Sequence, residues 1–486
     1  MASLKRNFAY QVLYQFLLIV LPLITSPYIA RVLGPSGVGI YSYTYSISSY
    51  FALFAKLGIH VYGNRSIATV RDNQKDLNKT FSDLLFVHVG IAFFVLVVYI
   101  IYLTFIPIEN KAIATVQIFY VIAELIEVNW FFFGMEQFKI SVVRNSIIKL
   151  LTVIAIFLLV KNETDTFMYC AILSISAAVS ELTIWIYVPK YVKIIKPDFR
   201  AAKKHIVPMI SFFIPSVAVS LYKVMDKIML GAMKDSINLG YYENSEKVTA
   251  IALTVVTALG TVMMPRMSNL ASKGDKKGEL RITDLSMKYI CLLSLAMAFG
   301  IAGVSKVFAP VFYGDKFREC SALMAGLSIS IPFTSFANVI RTQYLIPNHR
   351  DRVFQLSVIC GAVVNLFNNW ILIPILGAMG AVVGTVIAEI SVCLIQSFFS
   401  RGQLPIASYV KKSVPFMISG LVMFICVDRF GDCFPNTVIT LLLQVICGVL
   451  IYFTMIFAYW KVTNDEVLIS IERYIRNIAG RISGKP

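Results

Sequence analysis

Lys223, Asp226 and Lys227 stand at i, i+3 and i+4 inside an otherwise apolar run. A helix there carries two ammonium groups and a carboxylate on one face. Glu243, Glu246 and Lys247 open the next apolar run, and Arg31 closes the first one. Arg31, Lys223, Lys227 and Lys247 are therefore candidate cations for phosphate oxygens, which suit both a mobile ammonium and a guanidinium fork. The opposing reading is that Asp226 neutralises Lys223 or Lys227 while the others snorkel to a nearby surface. Asp226 is also a candidate carboxylate for ion coupling.

A second charged set lies earlier. Glu124 and Glu127 fall on one apolar run, Arg144 and Lys149 on the next. At a rise of ~1.5 Å per residue, Glu124 matches Lys149 in depth and Glu127 matches Arg144. That match predicts two ion pairs across a helical hairpin. The alternative is the inner part of a polar passage, with Arg144 and Lys149 touching substrate and Glu124, Glu127 or Glu181 taking up a proton or Na⁺. Glu181, Arg341 and Glu389 are single charges in further apolar runs. Each such group costs ~2.5–3.5 kcal/mol on insertion, so it needs a partner, a wet cavity or a task. Hydroxyls crowd the run Tyr41, Tyr43, Tyr45, Ser46, Ser48, Ser49, Tyr50. There Tyr41 and Tyr45 either line a path for sugar rings or pack against a neighbouring helix.

Other chemistry lacks its motifs. Gly34-Pro-Ser-Gly37-Val-Gly39 has no Lys-Ser/Thr ending and is no phosphate loop. The four histidines do not cluster, and the eight cysteines show no CxxC spacing, so neither a metal nor another cofactor is expected.

The elements that must position these groups follow from composition. Apolar residues make up 58% of the 486, charged residues 15%, and the mean hydropathy is +0.74. A soluble chain is about 45–50% apolar and about 25% charged. The pattern describes an all-α polytopic membrane protein with no room for a separate catalytic domain. Fourteen spans are expected: Asn7–Arg31, Gly37–Ala55, Phe81–Thr104, Ala112–Gly134, Ile140–Val160, Thr166–Pro189, Ile206–Gly231, Tyr242–Pro265, Tyr289–Ala309, Ser321–Leu345, Val353–Leu376, Met379–Ser400, Ser413–Val427 and Thr437–Trp460. The net charge of +17 would hint at nucleic acid in a soluble protein; here it reads as topology. With the N-terminus inside, 30 of the 44 Lys and Arg fall in inner segments, 8 in outer loops and six within spans. The excess places both termini in the cytoplasm.

The basic stretch 190–205 separates six spans from eight, so residues 1–189 form one lobe and 206–400 a second. Two appended helices follow in 401–460. The tail 461–486, with Val467, Leu468, Ile471, Tyr474 and Ile475 on one face, reads as an interfacial helix. Weak repetition supports the two lobes: Arg31-Val-Leu-Gly34 precedes Gly39-Ile-Tyr41, and Met229-Leu-Gly231 precedes Gly240-Tyr-Tyr242. Six intervening spans make the copies parallel.

Several segments resemble the bacterial polysaccharide flippases of O-antigen (Wzx-like) type, in the multidrug/oligosaccharidyl-lipid/polysaccharide exporter superfamily. They are Pro27-Tyr-Ile-Ala-Arg31-Val-Leu-Gly-Pro-Ser-Gly-Val-Gly39 with Leu57-Gly-Ile-His-Val-Tyr-Gly-Asn-Arg65, then Asp226-Lys-Ile-Met-Leu-Gly231 with Met264-Pro265-Arg266, and Asn365-Leu-Phe-Asn368-Asn-Trp-Ile-Leu-Ile-Pro374 with Gly377-Ala-Met-Gly380. The resemblance implies two six-helix bundles in a V around a cavity that opens alternately to each side. It implies translocation of a polyprenyl-diphosphate-linked oligosaccharide to the outer leaflet of a bacterial plasma membrane. Ion gradient or membrane potential would drive it, with H⁺ or Na⁺ as coupling ion. Membrane lipids and polysaccharide-assembly proteins would be the further partners. A cation-coupled multidrug exporter of the same fold would want acidic, aromatic walls, whereas this candidate lining leans basic. A membrane-embedded glycosyltransferase or polymerase would want a large outer loop, and the outer loops here are short.

Overall fold

The computed structural model describes residues 2–465, and every regular element among them is helical. The expected tail helix lies beyond Asp465, outside the described residues. Two compact units divide the chain: Met1–Asn244 with Asn365–Ala381, and Ser245–Val364 with Val382–Pro486.

In the first unit, the two expected spans Asn7–Arg31 and Gly37–Ala55 join in one run, α1 (Ala2–Lys56), broken at Gly34 with φ 67° and ψ −179°. Only glycine adopts that backbone without strain, and Pro35 supplies no N–H to continue the ladder. A second corner, Leu57 (φ 38°) and Gly58 (φ 78°), leads into α2 (Ile59–Val70). A Cβ on Gly58 would fall 2.4 Å from the Met209 carbonyl oxygen, so the corner presses backbone against backbone. Asn73 caps α3 (Gln74–Phe105), accepting from the Lys75 amide at 3.1 Å.

The expected span Ala112–Gly134 is three pieces: α4 (Lys111–Val116), α5 (Ile118–Leu125) and α6 (Asn129–Gly134). The groups freed at the second break find partners in side chains. His88 Nε2 lies 2.8 Å from the Glu124 carbonyl oxygen, Trp185 Nε1 donates to Ile126 O at 2.7 Å, and Glu127 accepts the Asn129 amide at 2.8 Å. Backbone left open at membrane depth must be satisfied this way. Next come α7 (Phe138–Leu159) and α8 (Thr166–Ile184), around a core of fully buried Phe81, Trp130, Phe131 and Phe132.

The basic linker is an extended strap along α3. Gln74 Nε2 donates to Tyr191 O (3.0 Å), while Asn78, Ser82 and Asp83 accept the amides of Lys193 (3.0 Å), Ile195 (2.9 Å) and Asp198 (2.9 Å). Lys190, Lys193 and Lys196 remain exposed. The strap leads into α9 (Phe199–Met233), after which α10 (Ser236–Ser272) begins in the first unit.

The second unit takes the rest of α10, then α11 (Lys276–Tyr313), α12 (Cys320–Ser328), α13 (Ser330–Ile340), a π turn at Arg341–Leu345, α14 (Asp351–Leu376), α15 (Ala378–Ser400), α16 (Ile406–Cys433) and α17 (Val438–Thr463). The α14–α15 corner, Asn365–Ala381, belongs to the first unit. The last two helices share this unit's core, in which Phe416, Met423, Tyr452 and Ile456 pack with Ile290 and Leu292. Tyr452 donates to Leu292 O at 2.8 Å, and Lys306 pairs with Asp428 at 3.0 Å and Asp432 at 3.2 Å.

Among the described residues, twelve helices are long and apolar enough to cross a membrane. One runs Phe16–Val70 through the Gly34 break and so takes in the expected span Gly37–Ala55 and the later part of Asn7–Arg31; the 35-residue α9 is outside the twelve. Large apolar side chains stay exposed on the flanks, Phe93, Phe94 and Ile101 of α3 and Ile439, Leu442 and Leu450 of α17 among them. That is the surface a hydrocarbon solvent requires.

Candidate functional site

Two charge networks form inside the first unit. In one, Lys227 of α9 meets Glu243 of α10 at 2.8 Å, and Ser42 of α1 donates to the same carboxylate oxygen at 2.8 Å. On the adjacent residue, Asp226 accepts from Tyr242 OH at 2.8 Å and from Asn369 Nδ2 at 2.6 Å; Asn369 also reaches Asn365 Oδ1 at 3.2 Å. Neighbouring residues of one helix turn thus serve different partners. Asp226, Asn365 and Asn369 are nearly inaccessible, so their amide and carboxyl oxygens gather in a dry place.

In the other network, Lys56 at the end of α1 pairs with Glu124 at 3.0 Å. Beside it, Arg144 lies 3.9 Å from Glu181 and donates to Asn129 Oδ1 (3.2 Å), Asn145 Oδ1 (2.7 Å) and the Ser180 carbonyl oxygen, while Asn129 Nδ2 donates to Glu181 at 2.6 Å. Glu127 faces the charges of both Lys56 and Arg144. The tyrosines connect the two networks. Tyr41 stacks on Tyr45 with centroids 5.5 Å apart, Tyr169 and Tyr120 meet them edge-on at 5.0 Å, and Tyr45 lies within the fields of Lys56, Glu124, Lys227 and Glu243.

The two repeats touch reciprocally. A Cβ on Gly39 would fall 1.7 Å from Ser236 O, and one on Gly240 would fall 2.0 Å from Pro35 O. Gly39 and Gly240 are 201 residues apart in sequence, as are Pro35 and Ser236 and also Ser42 and its partner Glu243. Ser36 Oγ and Ser236 Oγ lie 3.3 Å apart. The contact is nearly isologous, each copy offering a glycine to the other's backbone.

The expected hairpin pairs Glu124–Lys149 and Glu127–Arg144 do not form. Lys56 takes Glu124 and Glu181 takes Arg144; Glu127 sits in the break at residues 126–128 and accepts the Asn129 amide there. Lys149 is partly buried and makes no ion pair or hydrogen bond among the described residues. Arg31 is exposed on the first unit, Lys247 belongs to the second, and the Lys223 side chain lies outside the described residues. Sequence reading missed Lys56, which lies one residue beyond the expected span Gly37–Ala55. Its signal was present: Tyr41, Tyr45, Ala52 and Lys56 recur at helical spacing on one face. Ser42, Asn365 and Asn369 were missed for want of charge.

The model of the polysaccharide biosynthesis protein family matches residues 4–271. The chain belongs to that family. The matched stretch holds every residue of both networks except Asn365 and Asn369. A relative from Escherichia coli (strain K12), named an O-antigen transporter, is 22% identical over 82% of this chain and 97% of its own length. A Haloferax volcanii protein, named for a flippase of low-salt glycan biosynthesis, is 23% identical over 54% of this chain and 56% of its own. Among solved structures, the lipid II flippase MurJ in an inward closed conformation superposes with a TM-score of 0.75 at 15% identity, over 94% of this chain and 99% of that one. An inward-facing multidrug MATE transporter of the MOP superfamily gives 0.61 at 14%, over 80% and 96%. At such identities these structures show the fold: the chain shares the expected all-helical architecture with MurJ and with this MATE transporter.

Proposed function

We propose that the chain is a flippase that moves a polyprenyl-diphosphate-linked oligosaccharide from the inner to the outer leaflet by alternating access. It is a transporter, not an enzyme. The observation that carries this is the pair of carboxylate-held lysines, Lys56 and Lys227, joined by the Tyr41–Tyr45 ladder within the first unit. Ammonium groups suit a diphosphate, and tyrosine faces with hydroxyls suit sugar rings. Unpaired sugar hydroxyls cost ~4–8 kcal/mol each in hydrocarbon, so the headgroup needs such a polar route while the tail stays in lipid. The names of the E. coli and Haloferax relatives agree.

In this reading the Gly34 break separates two spans and α9 makes a crossing, giving fourteen with both termini cytoplasmic. The lobes are residues 1–189 and 206–400, and the Gly39–Gly240 contact is the closed outer end. Arg31 adds a cation on the first unit, Arg144 and Lys149 add theirs toward the inner end, and Lys223 and Lys247 remain candidate substrate cations. Asp226, with Asn365 and Asn369, is the first candidate for Na⁺ or H⁺ coupling, followed by Glu124, Glu127 and Glu181.

Reconstitution tests the function. Proteoliposomes carrying a polyprenyl-diphosphate oligosaccharide with a fluorescent sugar are treated with a membrane-impermeant quencher. The protein should make the inner-leaflet pool accessible, and Lys227→Ala should abolish that. Equal accessibility with empty liposomes would sink the reading.

A further inference from the structure

Lys56 and Glu124 form a pair that binding must open. Lys56 is the last residue of α1, presented by the Leu57–Gly58 corner, and its side chain is 40% exposed against 17% for Glu124. Among the described residues Glu124 is its one ionic partner, so an ammonium with three donors keeps capacity for another anion. The carboxylate is held on one side only: Oε1 meets Lys56, while Oε2 is buried with no partner. A half-satisfied acid of this kind is a poor final partner for a cation and a good provisional one.

We propose that Lys56 is a diphosphate-binding cation, kept in place in the empty protein by Glu124, and that the diphosphate displaces Glu124 while one proton from the adjoining water binds the released carboxylate. This rests on the flippase reading and deepens it by naming the residue that first meets the substrate and the proton bookkeeping of that step.

The charges around Glu124 require the proton. From α1 it faces Lys56 and Tyr45, from α2 His60, and from α3 His88, whose Nε2 is on Glu124's own carbonyl oxygen. Glu127 follows across the break, and beyond it Arg144 of α7 and Glu181 of α8. Once a phosphate engages Lys56, Glu124 is left beside Glu127, while Arg144 serves Glu127 and Glu181. Two adjacent buried carboxylates do not both stay ionised, and neutralising one is cheaper than leaving it uncompensated. The proton leaves when Lys56 swings back. Nothing is oxidised or reduced, and no covalent bond other than the O–H changes. Lys227 is held by Glu243 in a similar way but is half as exposed, which makes it a later stop past Tyr45.

Calorimetry on the purified full chain, with farnesyl diphosphate as probe in two buffers of different ionisation enthalpy, reads affinity and proton uptake together. Wild type should bind with about one proton taken up. Lys56→Ala should bind about tenfold more weakly and take up none. Glu124→Gln should bind at least as tightly with no uptake, and Lys56→Arg should keep both affinity and uptake within about threefold. Affinity for Lys56→Ala equal to wild type, with Lys227→Ala impaired, would overturn this assignment and leave the flippase reading standing. Wild-type protein that binds no farnesyl diphosphate overturns both. Undiminished proton uptake in Glu124→Gln overturns the exchange.

Discussion

Lys227 and Glu243 show how a single contact separates a structural from a binding role. Both side chains are less than one-fifth exposed, so deleting one removes the opposite charge from the other at a cost of about 3 kcal/mol. If the pair only holds α9 to α10, removing both charges should restore what removing one destroys. A binding cation predicts otherwise: Lys227→Ala/Glu243→Ala should fold like wild type by thermal melting yet remain at under a tenth of wild-type flipping. Transport recovered in the double variant would return Lys227 to a structural role. The same logic sorts the inner acids. Glu124 and Lys149 do not touch, so a double-mutant cycle in detergent should give a coupling within about 0.5 kcal/mol, whereas Glu124 and Lys56 should couple by about 1 kcal/mol, held low by the lysine's exposure. A large Glu124–Lys149 coupling would restore the hairpin pairing that depth counting favoured.

Helix existence was readable from apolar runs because a membrane demands them, and the break at Gly34-Pro35 was visible as residues. The pieces α4, α5 and α6 were not. Their breaks depend on His88, Trp185 and Glu127 satisfying loose backbone groups from other helices or across the gap, and no local spacing records those distant partners. The repeat was legible as Gly39 and Gly240, but not as a contact. A prediction follows at this scale from the 3.3 Å between Ser36 and Ser236. With the eight native cysteines replaced, Ser36→Cys/Ser236→Cys should cross-link under mild oxidant and stop flipping, and reductant should restore it. A cross-linked protein that still flips would show that this contact need not open. Gly39→Val adds side-chain atoms where even a Cβ would overlap Ser236 O, so it should prevent the cross-link and lower transport at least tenfold.

The chain as a whole carries a net charge of +17, and the headgroup proposed as its cargo is an anion crossing toward the outside. A potential negative inside favours that movement by ~2.3 kcal/mol per uncompensated charge per 100 mV. Each coupled cation that travels outward with the diphosphate subtracts one charge from the gain, and each that travels inward adds one. The proton taken up at Glu124 leaves the balance unchanged if it returns to the inner side when Lys56 re-pairs. Flipping should therefore respond to voltage alone, without any ion gradient. In proteoliposomes with an imposed K⁺ diffusion potential that makes the face bearing the termini negative, the initial rate toward the opposite leaflet should rise several-fold over the depolarised control. Inverting the potential should slow it. Rates indifferent to voltage would mean that outward-moving cations neutralise the diphosphate in transit, and Asp226→Asn, which removes the leading coupling carboxylate, should then make the voltage dependence appear.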